Sequence, residues 1–230
     1  MSFLDTRMAK PFILNLCFCL STPLIAHPFA SYLDGGFLSV GVIAGKGDVI
    51  KDSGNSDLRS HSAQLGLQVQ GGYQKYFIPF LGVSFYGYFS YRYLYMDKFA
   101  TSISDINNVN RYSLGVGGNL LINAYSKIKK SPHKSIKIYA YGFFGGVLGL
   151  VNLWTTQFAN FGATQLSNNA NIDAVFGIHA RIDSFKVSFG VHMPLINQTR
   201  LLVGKEAGGL RFINDHNSAD IFINFTKIFY

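Results

Sequence analysis

From Asn171 to Ile182 the chain alternates: Ile172, Ala174, Phe176, Ile178, Ala180 and Ile182 are apolar, and Asn171, Asp173, His179 and Arg181 sit between them. Successive side chains of a strand point to opposite faces, so this run has one greasy and one wet face. One such strand fits any soluble sandwich. The pattern recurs along the chain in runs of roughly ten residues, the length of a tilted strand that crosses a bilayer. A polypeptide of this kind must close on itself, because an open sheet edge in lipid leaves backbone groups unpaired.

The runs predict eight strands. Leu33 to Ala44 is the first, with Phe37, Ser39, Gly41 and Ile43 alternating against Leu38, Val40 and Val42; its facing stays open. The second puts Ala63, Leu65, Leu67, Val69 and Tyr73 on one face and Gln64, Gln68, Gln70 and Gln74 on the other. Four glutamines on one face need water or one another, which places them away from lipid. After a turn near Tyr76 to Pro79, the third strand has Leu81, Val83, Phe85, Phe89 and Tyr91 outward, and Ser84, Tyr86, Tyr88, Ser90 and Arg92 inward. The fourth has Tyr112, Leu114, Val116, Leu120 and Ile122 outward, and Arg111, Ser113, Asn119 and Asn123 inward. A basic turn at Ser126 to Ser135 leads to the fifth, Ile136 to Leu150, which is apolar on both faces and unoriented. The alternating run above is the sixth. Asp183-Ser184 then turns into the seventh, with Phe185, Val187, Phe189, Val191 and Met193 outward and Lys186, Ser188 and His192 inward. The eighth runs from Ala219 to the end, and long loops are expected at Lys46 to His61, Leu94 to Asn108, Asn152 to Asn169 and Pro194 to Asn217. Short turns would face the periplasm and long loops the exterior.

Composition agrees with this reading. Charged residues make up 14% of the chain and aromatics 15%, whereas a soluble domain carries charge at about a quarter of its positions. Residues 1–30 read as a cleavable signal peptide and residues 31–230 as the barrel. Arg7 and Lys10 precede an apolar stretch from Pro11 to Ile25, with cleavage expected after Ala26 or Ala30 and a start at Met1 or Met8. Cys17 and Cys19 both fall inside that stretch. A mature chain without cysteine has no disulfide or thiolate metal site, and neither cysteine follows a small residue as a lipid anchor would. The net charge of +8 does not point to nucleic acid: apart from Lys127, Lys129, Lys130 and Lys134 the basic residues are scattered, and no nucleic-acid-binding signature accompanies them.

Several segments resemble the Helicobacter outer-membrane protein family of porins and adhesins. They are Gly71-Gly-Tyr-Gln-Lys-Tyr-Phe77, Val83-Ser-Phe-Tyr-Gly-Tyr-Phe-Ser-Tyr91, Tyr112-Ser-Leu-Gly-Val-Gly-Gly-Asn-Leu-Leu121, Gly142-Phe-Phe-Gly-Gly146 followed by Trp154, Phe189-Gly-Val-His-Met-Pro-Leu-Ile-Asn197, and the aromatic C-terminus. The resemblance implies an all-β fold, an eight-stranded antiparallel transmembrane β-barrel in the outer membrane. Phe225, Phe229 and Tyr230 would be its C-terminal assembly signal. Its expected partners are outer-membrane lipid and lipopolysaccharide, the barrel-assembly machinery during biogenesis, and host surface ligands. Two features depart from the family pattern: in the last strand Lys227 interrupts one row and Asn224 and Thr226 the other, and the chain is short beside the adhesins, which carry a large extracellular domain.

The polar residues expected in the lumen are Gln68, Gln70, Arg92, Arg111, Asn119, Asp173, His179, Arg181 and Lys186, with Asp220 beside them. They could line an anion-favouring pore, or they could pack into a polar core, as small barrels fill their interiors with side chains. The second reading is preferred: a structural or surface-interaction protein, with a narrow or oligomeric porin and an adhesin as alternatives. Enzymatic activity, a cofactor and a metal are not expected. A two-residue turn sets His179 opposite Ser188, but a nucleophilic site also needs an orienting group and an oxyanion hole. The same register sets Arg181 against Lys186, an unfavourable pair unless water at the barrel end screens it.

Overall fold

A computed structural model describes residues 30–52, 57–94, 106–130, 136–158, 164–201, 210–214 and 218–230. Nearly all of the proposed signal peptide therefore lies outside the described residues, as do the tips of the expected long loops. A 3-10 turn at Ala30–Leu33 leads into ten strands: β1 (Gly35–Asp52), β2 (Asp57–Ile78), β3 (Leu81–Leu94), β4 (Ile106–Lys130), β5 (Ile136–Phe158), β6 (Thr164–Ile182), β7 (Phe185–Pro194), β8 (Gln198–Leu201), β9 (Leu210–Asn214) and β10 (Asp220–Phe229). Eight of them, β1 to β7 and β10, pair antiparallel with their neighbours in turn. The ring closes where β10 pairs β1, from Gly36 opposite Phe229 to Gly45 opposite Asp220. This is a closed eight-stranded antiparallel β-barrel.

Alternation decides the wall. Leu38, Val40, Val42, Leu65, Leu67, Phe85, Leu114, Val116, Val151, Ile178 and Phe225 are exposed large apolar residues on the outside. In water such a surface would drive aggregation, whereas hydrocarbon satisfies it. Tyr91 and Tyr112 (rings 5.2 Å apart) mark one rim of this band and the stacked Tyr125 and Tyr141 (5.2 Å) the other. Tyrosine suits both levels because its ring is apolar and its hydroxyl reaches water. No helix among the described residues is long and apolar enough to cross a membrane, a criterion that does not bear on strands.

The two unoriented strands are now placed. On β1, Phe37, Ser39, Gly41 and Ile43 face in and Leu38, Val40 and Val42 face out. On β5, Ile138, Ala140, Gly142, Phe144, Leu148 and Leu150 face in. That strand looked apolar on both faces because the lumen beside it is itself apolar: Phe144, Leu148, Leu150, Val175 and Phe222 belong to one buried cluster.

Five expected boundaries are corrected. β1 and β2 stay paired through Lys46 to Asp52 and Asp57 to His61, positions expected to be loop. The Asn152–Asn169 loop is mostly strand, since β5 continues to Phe158 and β6 begins at Thr164. The Pro194–Asn217 loop contains β8 and β9, and β9 pairs the outer part of β1, Asp48 to Lys51. At the opposite end, Ser126 to Lys130 is strand, and the turn after β2 lies at Pro79-Phe80 rather than from Tyr76. The reason is common to the four that extend strands into expected polar loops or turns. A backbone ladder needs no apolar side chains once it leaves lipid, so strand continues where alternating hydrophobicity stops. A crossing needs about nine to eleven residues, and β4 has 25.

Candidate functional site

Every polar residue expected in the lumen lies on the inner face. Gln68, Arg92, Arg111, Asp173, His179, Arg181 and Lys186 are buried, and Gln70 and Asn119 are half-buried beside a cavity. The roles proposed for them depend on what they touch.

Toward the long-connection end, β3 and β4 place Arg92 and Arg111 side by side in register. Arg92 forms an ion pair with Asp220 of β10 across the barrel and donates to the Tyr88 hydroxyl at 3.4 Å. Arg111 donates through Nε to Asn152 Oδ1 (3.0 Å), the same oxygen that accepts from the Ser113 hydroxyl at 2.6 Å. The Arg111 guanidinium also lies 5.1 Å from the centre of the Trp154 ring, whose indole N–H donates to Asn169 Oδ1 at 2.9 Å. Composition alone predicts a loop over Asn152, Trp154 and Asn169. They instead build this layer, and the inward spacing of Asn152, Trp154 and Thr156 was the signal that could have found them.

At mid-height, Gln68 donates to Asn224 Oδ1 (2.7 Å) and accepts from the Tyr88 hydroxyl (3.0 Å). Thr226 donates to the Ser39 hydroxyl at 3.0 Å across the seam. These contacts explain one broken row of the last strand: Asn224 and Thr226 belong to a polar interior. Lys227 breaks the other row. It lies exposed at the rim, with its ammonium 4.1 Å from the Phe185 ring centre and 2.8 Å from Ser184 Oγ.

At the short-turn end, Arg181 is the centre of a knot. It donates to the Leu33 carbonyl (2.7 Å), the Asp183 carbonyl (2.8 Å), the Tyr32 carbonyl (3.4 Å) and the Tyr230 hydroxyl (2.8 Å). Lys186 turns the other way, donating to Gln74 Oε1 at 2.8 Å. Arg181 and Lys186 are in register as the sequence required. Oxygens of the protein itself accept from both cations and relieve their repulsion.

His179 also faces Ser188 across the β6–β7 hairpin. Its Nε2 lies 2.9 Å from Asn123 Oδ1, and no hydrogen bond joins it to Ser188 among the described residues. His192 is fully buried, edge-on to the Phe222 ring at 4.6 Å. No group of three potential metal ligands occurs among the described residues. Between these layers lies a cavity of about 30 Å³ lined by Gln70, Ser84, Tyr86, Asn119, His179 and Ser188 among others. That volume holds about two waters.

The closed ring, the apolar exterior and the hydrogen-bonded polar interior define an integral β-barrel protein of the outer-membrane type. A family profile described as Helicobacter outer membrane protein matches residues 68–227, and the chain belongs to that family. No curated protein matches the chain. Among solved structures, OprG from Pseudomonas aeruginosa is 13% identical with a TM-score of 0.49, over 85% of this chain and 96% of that one. Neisserial surface protein A is 12% identical (TM-score 0.43; 85% and 99%). Ail, the attachment invasion locus protein of Yersinia pestis, is 13% identical (TM-score 0.42; 85% and 99%). No functional weight rests on likenesses this faint.

Proposed function

We propose that this protein is a sealed outer-membrane barrel whose role is structural or surface-interacting, carried by the sheet and connections beyond the lipid at its long-connection end. The observation that supports this reading is the filled interior. Ion-paired, hydrogen-bonded and aromatic side chains project into the lumen from both ends, around a cavity of about 30 Å³. Catalysis is not part of the proposal. His179 lacks a hydrogen bond to Ser188, and a space for about two waters admits no substrate. The reading expects export through residues 1–30 and assembly-machinery recognition of Phe225, Phe229 and Tyr230. It also expects lipopolysaccharide and host ligands as partners at the outer end.

Planar-bilayer recording tests it. The refolded protein is expected to give no stable conductance steps. Reproducible steps that disappear in an Arg92→Gln, Arg111→Gln, Arg181→Gln variant would establish the porin alternative instead.

A further inference from the structure

At the short-turn end the described residues place Lys75, Lys127, Lys129, Lys137 and Lys227 against only two acidic residues, Asp34 and Asp183. Both aspartates are occupied by backbone: Asp34 Oδ1 accepts from the Tyr76 N–H (2.6 Å) and Asp183 Oδ1 from the Ile138 N–H (2.8 Å).

The position of these lysines is built into the fold. On β4 the inner face is carried by Leu121 and Asn123, so strict alternation would send residues 125, 127 and 129 inward. The register instead shifts between Asn123 and Tyr125. A bulge of this kind re-aims the side chains that follow it. Tyr125, Lys127 and Lys129 therefore stand exposed on the outer face, and Ile128 turns in against the core. Lys129 is directly opposite Lys137 of β5, which is also exposed. Like charges facing each other across strands are destabilising. Lys75, Lys127, Lys129 and Lys137 make no ion pair among the described residues, and they lie beside the aromatic rim formed by Tyr125, Tyr139 and Tyr141.

We propose that this lysine belt is a binding surface for acidic phospholipid headgroups in the leaflet at the short-turn end, with a phosphate bridging Lys129 and Lys137. Three features fit that occupant: uncompensated cations, outward facing, and adjacency to tyrosines at headgroup depth. The inference rests on the barrel's placement in a membrane and holds whether or not its interior conducts.

The test is native mass spectrometry of the folded full chain exchanged into mixed micelles of phosphatidylglycerol and phosphatidylethanolamine. Preferential retention of phosphatidylglycerol is expected, falling on the order of a hundredfold in Lys127→Gln, Lys129→Gln, Lys137→Gln, since each of the three lysines near a charged surface contributes about fivefold. The wild-type preference must also weaken as ionic strength rises from about 0.05 to 0.5 M, a range over which exposed charges become screened. Equal retention of both lipids overturns the proposal, and so does a preference insensitive to salt. A preference retained in the folded triple variant overturns it too. Salt-sensitive co-sedimentation with purified cell-wall polymer, without any lipid preference, would assign the belt to that partner and equally overturn it.

Discussion

Gly145 and Gly146 are neighbours on β5 and face opposite sides of the wall. A Cβ built on Gly145 meets nothing within 4 Å, whereas one on Gly146 runs into the Gly118 carbonyl oxygen and the Cα of Asn119 at 2.7 Å. The inner glycine is there because the backbones and side chains of the lumen crowd it; the outer one faces open hydrocarbon. Gly145→Ala is therefore expected to be neutral or to stabilise by up to about 1 kcal/mol through the unfolded chain. Gly146→Ala should lower the folded fraction markedly. Urea titration in lipid vesicles, followed by the heat-dependent gel shift of folded barrels, compares the two. Equal effects would mean that the inner wall is looser than this packing. The sequence shows only Gly-Gly at these positions, because glycine has no polarity to reveal its face.

At the level of the elements, strand identity was legible wherever one face meets lipid and the other a polar lumen, as in β3, β4, β6 and β7. There the two faces differ in chemistry, and a one-residue slip would exchange them. Legibility failed for two physical reasons. β5 has an apolar inner row, ending in Leu148 and Leu150, so its faces look alike. The extensions beyond lipid, such as Asn152 to Phe158, have polar residues on positions that no longer meet hydrocarbon. Asn152, Trp154 and Asn169 were lost from the candidate site for the second reason. The β8–β9 hairpin belongs to the same class: it touches the barrel through the short pairing of β9 with Asp48–Lys51 of β1, above the seam where β10 takes over that edge. Replacing residues 198–214 with a short Gly-Ser linker should leave the heat-dependent gel shift intact while removing binding to host cells. Loss of the folded band would show instead that the hairpin is needed to close the ring.

Across the whole molecule, two buried charge systems hold the ring from inside. Arg181 ties the Ala30–Leu33 turn, the β6–β7 turn and Tyr230 together at one end. Arg92 joins β3 to β10 near the other through Asp220, with side chains only 1% and 5% exposed. A charge pair this deep gains attraction but has lost its hydration, so its net worth is small, while an orphaned partner is costly. Asp220→Asn leaves Arg92 with a weakened partner and Arg111 as its neighbour in register. The variant should lose about 3–5 kcal/mol, the usual cost of breaking a buried pair from one side. Replacing both members, Arg92→Met with Asp220→Leu, should recover most of that loss. Urea unfolding of the single and double variants in vesicles of one composition measures both values. A nearly silent Asp220→Asn would mean that water reaches Arg92 and screens it. The interior would then be open along that path, and conductance would be expected where the sealed barrel predicts none.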